Sequence, residues 1–406
     1  MKINWSFLLP VALAYLIFAI LLNSVGVVIL QSIHSFNVSK QSASVLEGFK
    51  DLPIALVSLF LASFLPRLGY KKSLQAGIFL VLISCIAMPL LPGFLTVKIL
   101  FLTLGACFAV VKISVYSLVG AVTQNPQQHA SLLNMIEGIF MTGVLAGNWL
   151  FSYFMQNDGG NYEWLQVYWI LAALCLIDIF LLKIIQLPTM ALPRYQTIWA
   201  ELKPMTRLFS QTIVMVFIIS AFTYVLIEQS LGTWLPTFNY EILQLTPKMS
   251  VQAASFFAGS LALGRLAASV LLQKIHWRKL LSFCIAAACV MLFVMLSSTR
   301  ITTVESRLTW QTMPVGVLLL PAIGFFMAPI YPALNSVILS SLPRSQHAAM
   351  TGIIVIFSAV GGTLGSLITG NLFSLVGGIH AFYALLLPLA LLYLATLHLG
   401  VRTKAL

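Results

Sequence analysis

The sequence predicts an all-α membrane protein of twelve transmembrane helices, arranged as two parallel six-helix repeats. Three observations carry this. Hydrophobic residues make up 60% of the 406 and charged residues 8%, whereas a soluble domain needs about 25% charged residues to cover a water-facing surface. Twelve apolar runs are long enough to cross a bilayer, which takes about 20 residues. Finally, short patterns from the first six runs recur in the same order in the last six.

The runs lie at 5–30, 43–66, 73–92, 97–122, 130–154, 165–187, 208–236, 250–272, 280–298, 313–341, 347–375 and 381–400. Many contain Gly or Pro, which membrane helices tolerate when neighbouring helices satisfy the freed backbone groups. The first run is longer than a signal-peptide core and shows no clear A-x-A cleavage site, so it reads as the first span. Cys85, Cys107, Cys175, Cys284 and Cys289 all fall inside apolar runs with no CxxC spacing, as small core residues do.

The repeat shows in three places. Arg67-Leu68-Gly69-Tyr70-Lys71-Lys72 after span two corresponds to Lys274-Ile275-His276-Trp277-Arg278-Lys279 after span eight, 207 residues on. Asn23-Ser24-Val25-Gly26 in span one returns as Gln229-Ser230-Leu231-Gly232 in span seven, 206 residues on. Gln128-His129-Ala130 opens span five and Gln346-His347-Ala348 opens span eleven, and Gly143 and Gly147 match Gly361 and Gly365 at an offset of 218. The proline-punctuated connection between spans six and seven divides the chain into bundles 1–190 and 208–406, joined by a cytoplasmic linker 191–207.

Lys and Arg set the orientation. With the N-terminus cytoplasmic, fourteen basic residues fall on the inner side: Lys2, Arg67, Lys71, Lys72, Lys183, Arg194, Lys203, Arg207, Lys274, Arg278, Lys279, Arg344, Arg402 and Lys404. Lys40, Lys98, Lys248, Arg300 and Arg307 fall outside, with Lys50 near the border. This bias obeys the positive-inside rule with both termini cytoplasmic. The net charge of +12 therefore faces lipid headgroups, not nucleic acid.

The remaining charges lie inside spans, where they are costly and mark solute or proton pathways. Lys112 in span four and Glu137 in span five stand 14 residues before and 11 after Pro126. Two antiparallel helices would hold both at roughly 15 Å depth, near mid-membrane. Lys112 would meet an anionic group on a solute, or form an ion pair with Glu137. Glu137 shares a helical stripe with Asn134, Met141 and Asn148 and would exchange a proton or simply balance Lys112. In the second half, Glu228, beside Gln229, is the obvious partner for Arg265, as a structural or a coupling pair. Glu47 and Asp51 share a face near the outer end of span two and are expected at a solvated mouth. Asp178 in span six is expected to find a structural partner or to snorkel. Trp149, Trp164 and Trp169 are expected in the interfacial aromatic belt.

Several stretches carry a resemblance. The loop Ala62-Ser63-Phe64-Leu65-Pro66-Arg67-Leu68-Gly69-Tyr70-Lys71-Lys72 resembles the cytoplasmic signature of the major facilitator superfamily, Gly-x-x-x-Asp-Arg-x-Gly-x followed by two basic residues. Arg67, Gly69, Lys71 and Lys72 match it; Ala62 and Pro66 stand where the family has Gly and the acid. The resemblance implies a gating role for the four matching residues and leaves the usual acidic latch missing. Tyr224 to Leu235, Gly264-Arg265 and Ala130 to Asn134 with Gly143 are similar to spans seven, eight and five of the fucose/glucose/galactose permease family of sugar:proton symporters. That family has an acid late in span one, where this chain has Gly26, and another in span four, where this chain has Lys112. Inherited sugar specificity is therefore unsafe.

If the superfamily layout holds, the solute site lies at mid-membrane between the halves. Asn23, Tyr15, Tyr116, Tyr224, Trp234, Tyr331 and Asn335 would line it, and Tyr331 is the repeat mate of Lys112. Rings and amides suit a sugar-like or other small polar solute. The reading is a secondary carrier that imports a small polar solute, sugar-like or an organic anion, with protons or sodium, by alternating access. A drug or metabolite exporter and a non-transporting sensor or scaffold are the alternatives. A monomer in the plasma membrane, of the bacterial inner-membrane type, is expected, with lipid and solute as its only partners. No Walker loop, HExxH or Gly-x-Ser-x-Gly is present, so no enzyme, metal or cofactor is expected and an ion or solute gradient must supply the energy.

Overall fold

The computed structural model describes residues 5–61, 69–122, 126–155, 162–185, 205–298, 310, 318–343 and 346–402. Among these residues the chain is helical throughout, without strands. Span one is a bent pair, α1 (Trp5–Leu22) and α2 (Val25–Ser35), meeting at 44°. The break lies at Asn23-Ser24, where the side chains take backbone carbonyls for themselves. Asn23 Nδ2 donates to Ala19 O at 2.9 Å and Ser24 Oγ to Leu21 O at 2.7 Å, the competition that weakens a helix interior. After the short α3 (Lys40–Ala43), α4 (Leu46–Leu61) forms the described part of span two. Spans three to six are α5 (Tyr70–Leu90), α6 (Phe94–Val122), α7 (Pro126–Tyr153) and α8 (Val167–Ile184).

The second half follows the same plan with α9 (Thr212–Glu241), α10 (Pro247–Leu271) and α11 (Trp277–Ser298). Span ten is split into α12 (Leu319–Met327) and α13 (Ile330–Ser341) at Ala328-Pro329. The last helices are α14 (His347–Tyr383) and α15 (Leu386–Arg402). Helix α14 is interrupted at Gly377, whose φ of +79° only glycine adopts cheaply, so span eleven ends there and the chain turns into span twelve. Eight helices, with the bent pair a ninth span, are long and apolar enough to cross a membrane among the described residues. Helices α4, α7 and α15 occupy the places of the remaining expected spans. Cys85, Cys107, Cys175 and Cys284 are buried and Cys289 half-buried, all as free thiols.

The chain divides into two compact units. Unit 1 contains Met1–Val25, His34–Phe36 and Phe49–Ile198; unit 2 contains Gly26–Ile33, Asn37–Gly48 and Trp199–Leu406. Most of the connection 191–207 lies outside the described residues.

Within each unit the predicted repeat becomes a repeat of close helix contacts. In unit 1, α7 is set against α1 at Gly143, where a Cβ would lie 2.7 Å from Ala19 Cβ and 3.0 Å from Leu16 O, and at Gly147, 3.2 Å from Ile20 Cα. In unit 2, α14 meets α9 at Gly361, where a Cβ would lie 2.5 Å from Phe222 O, and at Gly365, against Leu226 O. Phe222 and Leu226 stand 206 residues beyond Leu16 and Ile20. A second pair obeys the same rule. Gly105 of α6 abuts Lys50 O of α4. Gly324 of α12 abuts Phe257 O of α10, a residue 207 positions beyond Lys50. Glycine is required here because helix backbones approach too closely for any side chain.

Candidate functional site

Unit 1 places Lys112 and Glu137 on one connected face of α1, α6 and α7. On α6, Phe108, Lys112 and Tyr116 are spaced i, i+4, i+8 and so share a face. Lys112 Nζ sits 5.8 Å from the Phe108 ring centre and 5.6 Å from that of Tyr116, in range of both π faces. Tyr116 Oη donates to Glu137 Oε1 of α7 at 2.5 Å, a short, charge-assisted bond. Among the described residues Lys112 makes no ion pair with Glu137 or any other acid. Of the two readings open in the sequence, direct pairing of the two charges is not what the structure has; the phenol of Tyr116 intervenes.

A floor of rings fixes this arrangement. Phe108 lies 6.2 Å from Tyr15 and 5.7 Å from Phe18, both on α1, and 5.8 Å from Phe140 on α7. Tyr15 meets Phe140 edge-on at 5.9 Å. Tyr15 is fully buried, with its hydroxyl unbonded among the described residues. The glycine contact at Gly143 lets α7 approach α1 closely enough for these rings to meet. Asn134 lies on α7, but its side chain is outside the described residues.

Unit 2 holds the second cluster. Tyr224 Oη donates to Glu228 Oε1 at 3.2 Å within α9, and Arg265 Nη2 of α10 lies 3.9 Å from the same oxygen. The pairing expected between Glu228 and Arg265 is thus formed, with the Arg265 side chain 36% and the Glu228 side chain 21% exposed. Tyr224 stacks on Tyr331 of α13 at 5.5 Å and 22°. Tyr331 Oη is 2.9 Å from Ser358 Oγ of α14. Asn335, one turn from Tyr331, has a buried Oδ1 that no group bonds among the described residues. Phe18, Phe140, Lys112 and Tyr116 of unit 1 have Tyr224, Ser358, Tyr331 and Asn335 as repeat mates. The two clusters occupy the same repeat positions, with a basic centre in unit 1 and an acid–base pair in unit 2.

A third polar group lies in unit 2. Thr233 Oγ1 donates to Glu47 Oε2 at 2.9 Å and lies 3.5 Å from Gln229 Oε1. Glu47 is fully buried, which corrects the expectation of a solvated mouth. Gly26 packs on Thr233 O and Gly48 on the Thr363 methyl, and this close packing removes water from Glu47. Nearby, Lys40 Nζ bonds Glu241 Oε2 at 2.6 Å, and Ser366 Oγ donates to Ser44 O at 3.1 Å. Asp51 lies 3.5 Å from Lys50 in unit 1. Asn23 is the exposed residue at the break of span one.

Of the gating candidates, Arg67 lies outside the described residues. Gly69 adopts φ +83° just before α5, a conformation that favours glycine. Lys71 Nζ donates to Lys183 O at 3.3 Å and Ile185 O at 2.5 Å, capping the free carbonyls at the C-terminus of α8. Lys72 is exposed. Trp164 is not in an aromatic belt: it is buried and donates to Ser35 Oγ at 3.1 Å. Trp149 and Trp169 are exposed.

Sequence reasoning missed Phe108, Phe140 and Ser358. The spacing of Phe108 to Lys112 could have exposed the first, and the repeat offset from Phe140 could have exposed Ser358.

Residues 11–366 match the family model of the Major Facilitator Superfamily. The chain belongs to the Major Facilitator Superfamily. Membership makes it a multi-pass membrane transporter and not an enzyme, as the sequence predicts. Comparison with curated proteins gives no match. Among solved structures, a bacterial homologue of the human lysosomal transporter Spinster, inward-facing and unoccupied, is similar over 99% of each chain at 13% identity, with a TM-score of 0.78. The nucleoside transporter NupG is similar at 15% identity over 98% of this chain and 99% of its own, with a TM-score of 0.72. A variant of the E. coli fucose:proton symporter FucP is similar at 16% identity over 98% of both chains, with a TM-score of 0.61. At these identities the likeness is one of fold.

Proposed function

We propose that this major facilitator protein is a proton-coupled importer of a small polar solute that carries a negative charge, working by alternating access. The observation that carries the reading is Lys112. Its ammonium is flanked by the Phe108 and Tyr116 rings and has no acidic partner among the described residues. The nearby Glu137 is engaged by Tyr116 instead. An intramembrane cation without a protein counter-ion is costly, and an anionic group on the solute would supply what is missing. The tyrosine rings beside Lys112 suit a hydroxylated solute such as a sugar acid. Glu137 and Glu228 are the proton carriers in this reading, and Arg265 resets Glu228 when the proton leaves.

In this reading both termini lie in the cytoplasm, which the Lys and Arg bias supports, and the membrane is the plasma membrane. It acts as a monomer, without a cofactor, on energy from the proton gradient. The test is uptake into proteoliposomes under an imposed inward proton gradient, with an inward sodium gradient as the control. Accumulation driven by protons alone is expected. Outward pumping would establish an exporter, and binding without flux under any gradient would establish a sensor.

A further inference from the structure

Asp178 belongs to neither charged cluster. It lies in the middle of α8, about 9 Å from that helix's C-terminal end at 1.5 Å per residue. It is 0% exposed, and both carboxylate oxygens are buried with no hydrogen-bond donor. Neither of the expected arrangements, a structural partner or a snorkelling chain, is present among the described residues.

Along α5, apolar side chains are buried together with Ser73 and Ser84, and neither hydroxyl bonds Asp178. Helix α8 packs on α5 and α1. Two contacts fix the antiparallel register of α5 and α8: Cys85 touches Cys175 through their thiols, and Lys71 bonds Lys183 O and Ile185 O. Asp178 falls between these contacts along α8, at a level where α5 buries Ile78, Val81 and Leu82. The titratable and charged groups on the elements packed against α8 are Tyr15 on α1, Tyr70, Lys71, Lys72 and Cys85 on α5, and Glu163 in the turn before α8. On α8 itself they are Tyr168, Cys175 and Lys183. None of them bonds Asp178. Lys71 of α5 is committed to the α8 carbonyls.

Among the described residues an ionised carboxylate in such a place would have neither donor nor counter-ion, and a buried group in that position neutralises instead. We propose that Asp178 is a proton-binding site set into the α5/α8 seam, and that its carboxyl is neutral in this conformation. The inference does not rest on the proposed transport cycle or on the nature of the solute.

The chain has three aspartates, Asp51, Asp158 and Asp178, so aspartate labelling reads the site directly. The experiment is infrared spectroscopy of protein carrying ¹³C in the aspartate side-chain carboxyl, reconstituted in phosphatidylcholine vesicles at pH 7. One isotope-shifted band from a protonated carboxyl is expected, and it should be absent from Asp178→Asn. Because Asn has the shape of a neutral Asp, that variant should unfold within a few degrees of the parent. Asp51→Asn and Asp158→Asn should both keep the band, which assigns it to Asp178 even if Asp178→Asn does not fold. Carboxylate bands alone from all three aspartates of the parent protein would overturn the proposal, as would loss of the protonated band in Asp51→Asn or Asp158→Asn.

Discussion

Adding one methyl group at Gly143 of α7 should destabilise unit 1, while the same methyl at Gly138, five residues earlier on the same helix, should not. A Cβ at Gly143 would lie 2.7 Å from Ala19 Cβ and 3.0 Å from Leu16 O, and one at Gly138 would have nothing within 4 Å. Ala19 Cβ and Leu16 O are fixed to the α1 backbone, so neither can rotate away and the two helices must part by several tenths of an ångström. Overpacking of this kind costs about 1–3 kcal/mol. Both substitutions gain the same helix propensity of about 0.8–1.0 kcal/mol, which cancels in their difference. For a unit of about 200 residues, each kcal/mol moves the midpoint by roughly 2–4 °C. The native cysteines provide the readout: a thiol-reactive fluorophore in detergent reports unfolding as Cys85, Cys107 and Cys175, all buried, become accessible. Gly143→Ala should melt roughly 2–12 °C below Gly138→Ala. Equal midpoints would refute the α1/α7 contact and, with it, the structural form of the repeat. Gly361→Ala, the repeat mate, should be at least as costly in unit 2, since its neighbour is the Phe222 carbonyl at 2.5 Å.

Further outcomes follow from the polar contacts. A double-mutant cycle of Tyr116→Phe with Glu137→Gln should return a coupling of about 1.5–3 kcal/mol for a hydrogen bond to a charged group, and a value below about 0.5 kcal/mol would contradict the 2.5 Å bond. The cycle of Glu228→Gln with Arg265→Gln should give about 1 kcal/mol, because partial exposure discounts the Coulomb term of about 4 kcal/mol expected near 4 Å. Lys40→Ala should cost only about 0.2–1 kcal/mol, since both side chains of the Lys40–Glu241 pair are 25% exposed, and high salt should erase the difference. An effect that persists at high salt would mean that Lys40 acts by packing.

Much of the fold was legible because membrane helices obey simple rules of length and composition. The breaks inside spans one and ten were less so. Asn23-Ser24 reads as an ordinary polar pair until the structure shows its side chains bonded to Ala19 O and Leu21 O. Gly143 and Gly361 were matched as letters, but their meaning, contact with residues related by the same repeat, needed coordinates. That Lys112 and Glu137 lie at a similar level of α6 and α7 followed from counting; the intervening Tyr116 did not, because it depends on rotation of α6 against α7 and not on spacing along either. Glu47 was misjudged for the same kind of reason. Its place near a helix end implies water, and only the packing of Gly26, Gly48 and Thr233 takes the water away. Trp164 and Asp178 show that position along a span is visible in sequence, whereas the direction a side chain faces is not.

Lys112, as the counter-charge for an anionic solute, is the residue on which the proposed function most directly rests. The decisive measurement is ligand-induced thermal stabilisation of purified protein by matched pairs, glucuronate against glucose and galacturonate against galactose, in the parent and in Lys112→Ala. A charged hydrogen bond contributes about 1.5–3 kcal/mol, so Lys112→Ala should weaken binding of the acid by roughly 10- to 150-fold and leave any response to the neutral hexose unchanged. Stabilisation by the neutral hexoses alone, equal in both proteins, would contradict it.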